Sequence, residues 1–301
     1  MRFPFTTSKV GYYSVLGFKK EPFSTSPDPA FFYPTKQHET ALTNLLIELR
    51  LRRGLSVIFG DVGTGKTTLS RRLLHELNKR KDVIFHMILN PAFDGEQHFL
   101  ISLIRNFSID IPKDRKLKDL DLMELRDIIE RFLIHKTLEE NRTVVLIIDE
   151  AQKMDLASLE TLRILLNFET NDHKLIQLIL LGQLELYARV VHMSNFMDRI
   201  SFRYTLNPLS VEETKELILF RINKAGYESQ QRIFLDDAIS EIYTQTKGYP
   251  RKINMLCHKA LKELILQQHS IIDAPFIKEI FVKQEMTPGS VKDGFVSANR
   301  S

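Results

Sequence analysis

One cysteine, Cys257, stands among 301 residues, which excludes an internal disulfide and any multi-cysteine zinc site. Its neighbours Met255, Leu256 and Ala260 are apolar, so a buried structural thiol is expected rather than a nucleophile. No apolar run reaches the roughly 18 to 20 residues that a membrane-spanning helix needs. The first residues, MRFPFTTSKVGYYSVLGF, lack the continuous apolar core of a signal peptide. Both absences point to the cytoplasm and to no direct membrane span. Neither sign of charge dominates, with 42 Lys and Arg against 38 Asp and Glu, a net +4. So small an excess admits an anionic partner without requiring one. His86, His98 and His135 are too scattered for a metal site, and no internal repeat is present. With 43% hydrophobic and 27% charged residues, the composition excludes disorder, collagen and coiled coil. At about 150 residues per domain, the length suggests two domains.

The chain opens with an aromatic and proline-rich strap over residues 1–34, carrying Phe18, Pro22, Phe23, Pro27, Pro29, Phe31, Phe32, Tyr33 and Pro34. The prolines keep it extended. Two uses stay open for it, covering a sheet edge or contacting a ligand. From Thr35 to Leu51 the leucines recur at helical spacing, with Thr35 as the cap. Short Val/Ile/Leu runs then alternate with helical patterns. Strands are expected at Leu55–Phe59, Val83–Leu89, Val144–Ile148, Leu175–Leu181 and Phe202–Leu206. The helices between them are placed at Thr67–Lys79, Glu96–Phe107, Asp119–Leu138 and Leu156–Phe168. Uninterrupted apolar strands separated by helices predict a five-stranded parallel sheet covered on both faces, an α/β core over residues 35–208. After Pro208 only helical patterns follow (Val211–Ala225, Leu235–Thr246, Arg251–Gln268, Ala274–Val282), read as a helical lid over 209–283. A flexible tail is expected over 284–301.

The strongest motif is Gly60-Asp61-Val62-Gly63-Thr64-Gly65-Lys66-Thr67, followed by Thr68. It matches the phosphate-loop pattern in full and sits between a strand and a helix, the context it requires. Glycines let backbone N–H groups wrap phosphates, and the helix N-terminus adds a favourable dipole. Lys66 is placed to reach the β- and γ-phosphates, and the Thr67 hydroxyl to ligate Mg²⁺. The second motif is Val144-Val-Leu-Ile-Ile-Asp149-Glu150, a buried strand ending in two acids. Unpaired burial of such carboxylates costs several kcal/mol. Beside a triphosphate they have roles: Asp149 orients Mg²⁺ and Glu150 polarises the attacking water. The strand Val83–Leu89 is expected to separate the phosphate-loop strand from the acidic one. The adjacent Glu150 marks an ATPase, and no guanine-specifying N-K-x-D follows downstream.

The text YYSVLGFKKEPFSTSPDPAFFY, FGDVGTGKTTL, LIIDEAQKM, LRILLNFET, ILLGQLEL, DRISFRYTLNPLS and GYPRKINMLCHKAL spans about residues 12 to 270. In that order it resembles the AAA+ ATPases of the ExeA/GspA type, a secretion-associated family related to the transposition ATPases. The resemblance implies a P-loop NTPase fold of the AAA+ (ASCE) class, with a helical lid, and ATP with Mg²⁺ as ligands. It also implies four roles. Asn90 resembles the residue that holds the catalytic glutamate until a partner engages, and Gln183 a sensor of the γ-phosphate. Arg199 resembles the arginine finger, with Arg203 as second candidate, and Arg251 the lid arginine known as sensor 2.

A finger supplied in trans is worth roughly 10³–10⁵ in rate. Hence the expected active form is a homo-oligomer, a hexameric ring or a filament. The leading expectation is an ATP-hydrolysing enzyme that drives assembly or remodelling of a protein partner in envelope secretion or export. Fuller members of the family continue into a membrane span and a peptidoglycan-binding region. The chain stops before either, so a soluble partner is expected to hold it near the inner membrane. Two rivals stand beside this reading. One is a DNA-associated assembly factor with duplex DNA as partner, to which the basic runs Arg50–Arg53, Arg71–Arg72 and Lys79–Lys81 could contribute. The other is a nucleotide-gated scaffold with little hydrolysis.

Overall fold

A strand with apolar side chains on both faces has to be covered on both, and three runs of this chain are of that kind. β1 (Leu55–Gly60), β3 (Thr143–Ile148) and β4 (Ile176–Gly182) are buried at every position. β2 (Val83–Ile88) and β5 (Ile200–Leu206) have partly exposed positions, as edge strands do. A computed structural model describes residues 11–24, 31–113, 115–193, 195–229 and 231–285. They divide into two compact units, Pro34–Asn207 and a second made of Met1–Tyr33 with Pro208–Ser301.

The first unit holds the five strands in the order β2-β3-β4-β1-β5, with every pair parallel. The expected fold class, a parallel five-stranded α/β sheet, is the observed one. One neighbour relation differs from expectation. β4, and not β2, stands between the phosphate-loop strand and the acidic strand, while β2 lies at the sheet edge. Full burial of β4 is consistent with this central place. Helices α2 (Lys36–Leu51) and α3 (Lys66–Leu77) cover one face through Leu45, Leu49, Leu69 and Leu73. Helices α4 (Glu96–Asn106), α5 (Leu122–Ile134) and α6 (Leu156–Leu165) cover the other through Phe99, Leu125, Ile129 and Leu162. The cap expected at Thr35 is present, its hydroxyl accepting from the His38 amide. α5 starts later than its pattern suggests because Asp121 and Glu124 form a reciprocal capping box. It continues as a π-turn over His135–Glu139. A further helix, α7 (Leu184–Val190), is too short for its periodicity to be read.

The second unit packs α8 (Val211–Lys224), α9 (Asp236–Thr246), α10 (Pro250–Leu266) and α11 (Ala274–Glu285) around a core that includes Ile218, Ile242, Cys257 and Leu261. Cys257 is fully buried, and burial pushes its thiol far above the ordinary range. The described part of the strap packs within the helical unit. Phe18, Phe23 and Phe31 are part of the helical core, preceded by the single turn α1 (Tyr12–Val15). Arg221 of α8 clasps the strap: Nε donates to the Pro22 carbonyl at 2.8 Å and an amino group to Ser24 O at 3.2 Å. Its guanidinium also lies 6.0 and 5.5 Å from the Phe23 and Phe31 ring centres. Pro27 and Pro29 lie outside the described residues, as does the expected tail beyond Glu285.

Candidate active site

The loop between β1 and α3 takes its shape from glycine. Gly63 and Gly65 have φ of +87° and +104°, a region that side chains with a Cβ rarely enter. At Gly65 there is also no room, since a Cβ would sit 2.5 Å from His38 Nε2 on α2. Thr64 is buried and its hydroxyl donates to Asp61 O at 2.9 Å, while Val62 is exposed at the loop tip. Lys66 is 5% exposed. Its ammonium donates to the carbonyls of Gly60 and Asp61 at 2.6 and 2.9 Å. Burial holds that ammonium below its ordinary pKa, and the charges of Glu150 and Asp149 oppose the shift.

β3 delivers the two acids beside this loop. Asp149 is 2% exposed. It accepts from the Thr67 hydroxyl at 3.0 Å through one oxygen and from the Glu150 amide at 2.9 Å through the other. Burial pushes its carboxyl upward, and these two hydrogen bonds pull the other way. Glu150 leaves the strand with a left-handed backbone, φ 54° and ψ 36°. That conformation costs on the order of 1–3 kcal/mol for a residue with a side chain, and such strain gathers at functional positions. It turns the Glu150 carboxylate out of the strand's alternation, partly exposed beside buried Asp149.

Lys66, Thr67, Asp149 and Glu150 are therefore brought together, and Gln183 joins them. It caps α7 at the end of β4, and its amide donates to Gln152 Oε1 at 3.1 Å. Gln152 had no place among the expected site residues, although it stands in the motif text Asp149-Glu150-Ala151-Gln152. Its Nε2 donates to Glu150 Oε2 at 2.8 Å. Asn90 is exposed just past β2, and among the described residues it has no hydrogen bond to Glu150. Arg199 ends a short turn before β5; the Glu160 and Glu169 carboxyls are held low chiefly by their hydrogen bonds to Arg163 and Lys174, and the Arg199 charge adds a smaller pull on both. The Arg199 Nε is buried without a hydrogen-bond partner. Arg203 is exposed on β5, its guanidinium 5.7 Å from the Tyr187 ring. Among the described residues, neither arginine has a hydrogen bond or ion pair to the loop or to the two acids. Arg251 is exposed in the first turn of α10, in the other unit.

A protein-family model described as an AAA domain matches residues 49–190. General secretion pathway protein A of Aeromonas hydrophila is 36% identical over 252 residues, 83% of this chain. The chain belongs to the AAA+ ATPases of the general secretion pathway protein A type. It spans 44% of that relative's length. Among solved structures, Cdc6p of Pyrobaculum aerophilum superposes on this AAA+ chain with a TM-score of 0.63 at 19% identity, covering 89% of it and 71% of Cdc6p. ORC2 of Aeropyrum pernix in ADPNP–ADP complexes gives 0.61 at 16% identity, covering 88% and 72%. At those identities the likeness shows the fold alone.

The side chains of the AAA+ site suit a magnesium triphosphate. Thr67 and Asp149 offer hard oxygen donors 3.0 Å apart. The Lys66 ammonium is buried against main-chain carbonyls, with no carboxylate at ion-pair distance among the described residues. A buried cation with no carboxylate in direct contact is poised to take an anion. No described helix is long and apolar enough to cross a membrane.

Proposed function

We propose that this AAA+ domain binds ATP with Mg²⁺ and hydrolyses it within a homo-oligomer, a ring or a filament, to drive assembly or remodelling of a partner complex in envelope secretion. The observation that carries the reading is that the ends of β1 and β3 bring together Lys66, buried against the Gly60 and Asp61 carbonyls, and Asp149, which accepts from both the Thr67 hydroxyl and the Glu150 amide. Backbone amides of Gly60–Thr68 and the Lys66 ammonium hold the phosphates. Thr67 and Asp149 hold Mg²⁺, which when bound neutralises charge on the β- and γ-phosphate oxygens. Glu150 orients the attacking water through its partly exposed carboxylate. Gln183 serves as the sensor of the γ-phosphate, and Arg251 as the sensor 2 arginine that contacts nucleotide. Arg199, with Arg203 as the alternative, completes a neighbouring subunit's site. The secretion role is supported by the similarity to general secretion pathway protein A, and nucleotide binding by the likeness to ORC2 in its ADPNP–ADP complexes.

Lys66→Ala is expected to abolish binding of a fluorescent ATP analogue. Glu150→Gln is expected to keep that binding and to lose phosphate release by about 100-fold or more, since a general base contributes roughly 10²–10⁴. Normal turnover by Glu150→Gln would overturn the assignment of the base.

A DNA-associated assembly factor is the second reading. Its support is that two of the basic runs meet, with Arg50, Arg52 and Arg80 lining one polar hollow together with Asp82 and Thr143. ATP-dependent retardation of non-specific duplex that weakens steeply with salt is its expected signature. Absence of a shift at low salt retires it.

A further inference from the structure

Gln152 grips Glu150 and another strand end at the same time. It lies in the short turn Ala151–Lys153 that follows the left-handed Glu150. Its Nε2 donates to Glu150 Oε2 at 2.8 Å, and its Oε1 accepts the Gln183 amide at 3.1 Å. Only one orientation of the side-chain amide serves both contacts. A flipped amide would set oxygen against carboxylate and NH₂ against N–H. The main chain of the turn is held separately, with Arg189 donating to Gln152 O at 2.6 Å. Lys153 approaches Glu150 only to 4.0 Å and is 52% exposed, so it contributes little orientation.

We propose that Gln152 is the positioning residue for Glu150, holding one carboxylate oxygen so that the other faces the attacking water, and tying that aim to the end of β4. This rests on the ATPase reading above and deepens it. A glutamate has three side-chain torsions, and one oxygen fixed by a donor removes most of that freedom. Displacement of a reacting group by about 1 Å costs on the order of 10²-fold in rate. β4 pairs with β1, which carries the phosphate loop, and with β3, which carries the acids. A change at the β4–α7 junction therefore reaches Glu150 through a single amide. Gln152 acts through Glu150 and touches no phosphate in this scheme, so its loss affects turnover and not binding.

The test compares wild type, Gln152→Ala, Gln152→Glu, Glu150→Asp and the Glu150→Asp/Gln152→Ala double variant. The readouts are kcat and KM for MgATP, Kd for a fluorescent ATP analogue, and melting temperature. Gln152→Ala is expected to lower kcat about tenfold or more with Kd within about twofold. Folding persists because the Arg189 contact is to the main chain. Gln152→Glu keeps nearly the same shape and the acceptor for the Gln183 amide, but opposes two carboxylates, and it is expected to lose at least as much. Glu150→Asp withdraws the carboxylate by one methylene, so adding Gln152→Ala is expected to change its residual rate by less than about twofold. Active wild type with either Gln152 variant within twofold of it, or with an undiminished Gln152→Ala effect in the Glu150→Asp background, overturns the proposal alone. Wild type that binds ATP and never hydrolyses it overturns the ATPase reading and this proposal with it.

Discussion

Burial at the site works against the charges that the site needs. It holds the Lys66 ammonium below its ordinary pKa and pushes the Asp149 carboxyl above its own. Each residue is then supported by local hydrogen bonds, Lys66 by two loop carbonyls and Asp149 by the Thr67 hydroxyl and the Glu150 amide. Such arrangements cost stability in exchange for a preorganised field. The loop's shape depends equally on single residues. Gly65→Ala puts a Cβ at φ +104° and 2.5 Å from His38 Nε2. Strain there is on the order of 1–3 kcal/mol, so calorimetry should find a lower melting temperature for the α/β unit. Binding of an ATP analogue should fall with it, because His38 and the loop have to move apart. A variant with unchanged melting and binding would show that the loop tolerates the displacement.

Among elements, the strap is the one whose partner was unexpected. Its phenylalanines complete a helical core that α8 to α11 leave open, and Arg221 satisfies strap carbonyls from inside. A second fastening lies at α10, where the Tyr12 hydroxyl meets His258 Nδ1 at 2.7 Å and Glu21 lies 3.0 Å from the same nitrogen. Burial holds the His258 imidazole below its ordinary pKa of 6.5; Lys262 adds to the shift and Glu21 opposes it. The unfolded chain therefore takes up this proton before the folded one does. Stability falls as pH drops below about 6.5, and the loss levels off below the folded pKa. Thermal melts from pH 8 to pH 5 should show this slope in wild type and a shallower one in His258→Gln. Identical slopes would exclude His258 as the titrating group.

For the whole molecule, neither finger candidate has a hydrogen bond or ion pair to the chain's own loop or acids among the described residues. A site that draws its arginine from a neighbour predicts a rate per subunit that rises with protein concentration, in step with assembly seen by sizing. Arg199→Ala should bind nucleotide normally and lose about 10³-fold or more in rate. Mixing it with Lys66→Ala subunits, which keep Arg199 but lack a working loop, should restore part of the activity. No recovery on mixing would move the finger to Arg203 or to a protein partner. Stimulation by duplex DNA in the same assay would favour the second reading.

What is encoded locally was legible in the residues themselves. The phosphate loop, the Asp149–Glu150 pair, the buried strands and the Thr35 cap all depend on neighbours a few positions apart, and spacing carries that information. Strand identity was readable because a doubly covered strand has to be apolar on both faces. Strand order was not, since any of the apolar runs satisfies the same pattern, and only packing placed β4 between β1 and β3. The role of Gln152 was hidden for a similar reason: its amide spans from Glu150, two residues back, to Gln183, 31 residues on. The strap's aromatics announced burial but not against what, because hydrophobic contact has no direction until the helices that receive it are in place. Sequence thus determined which chemistry the chain carries, and tertiary structure decided which side chains hold that chemistry in aim.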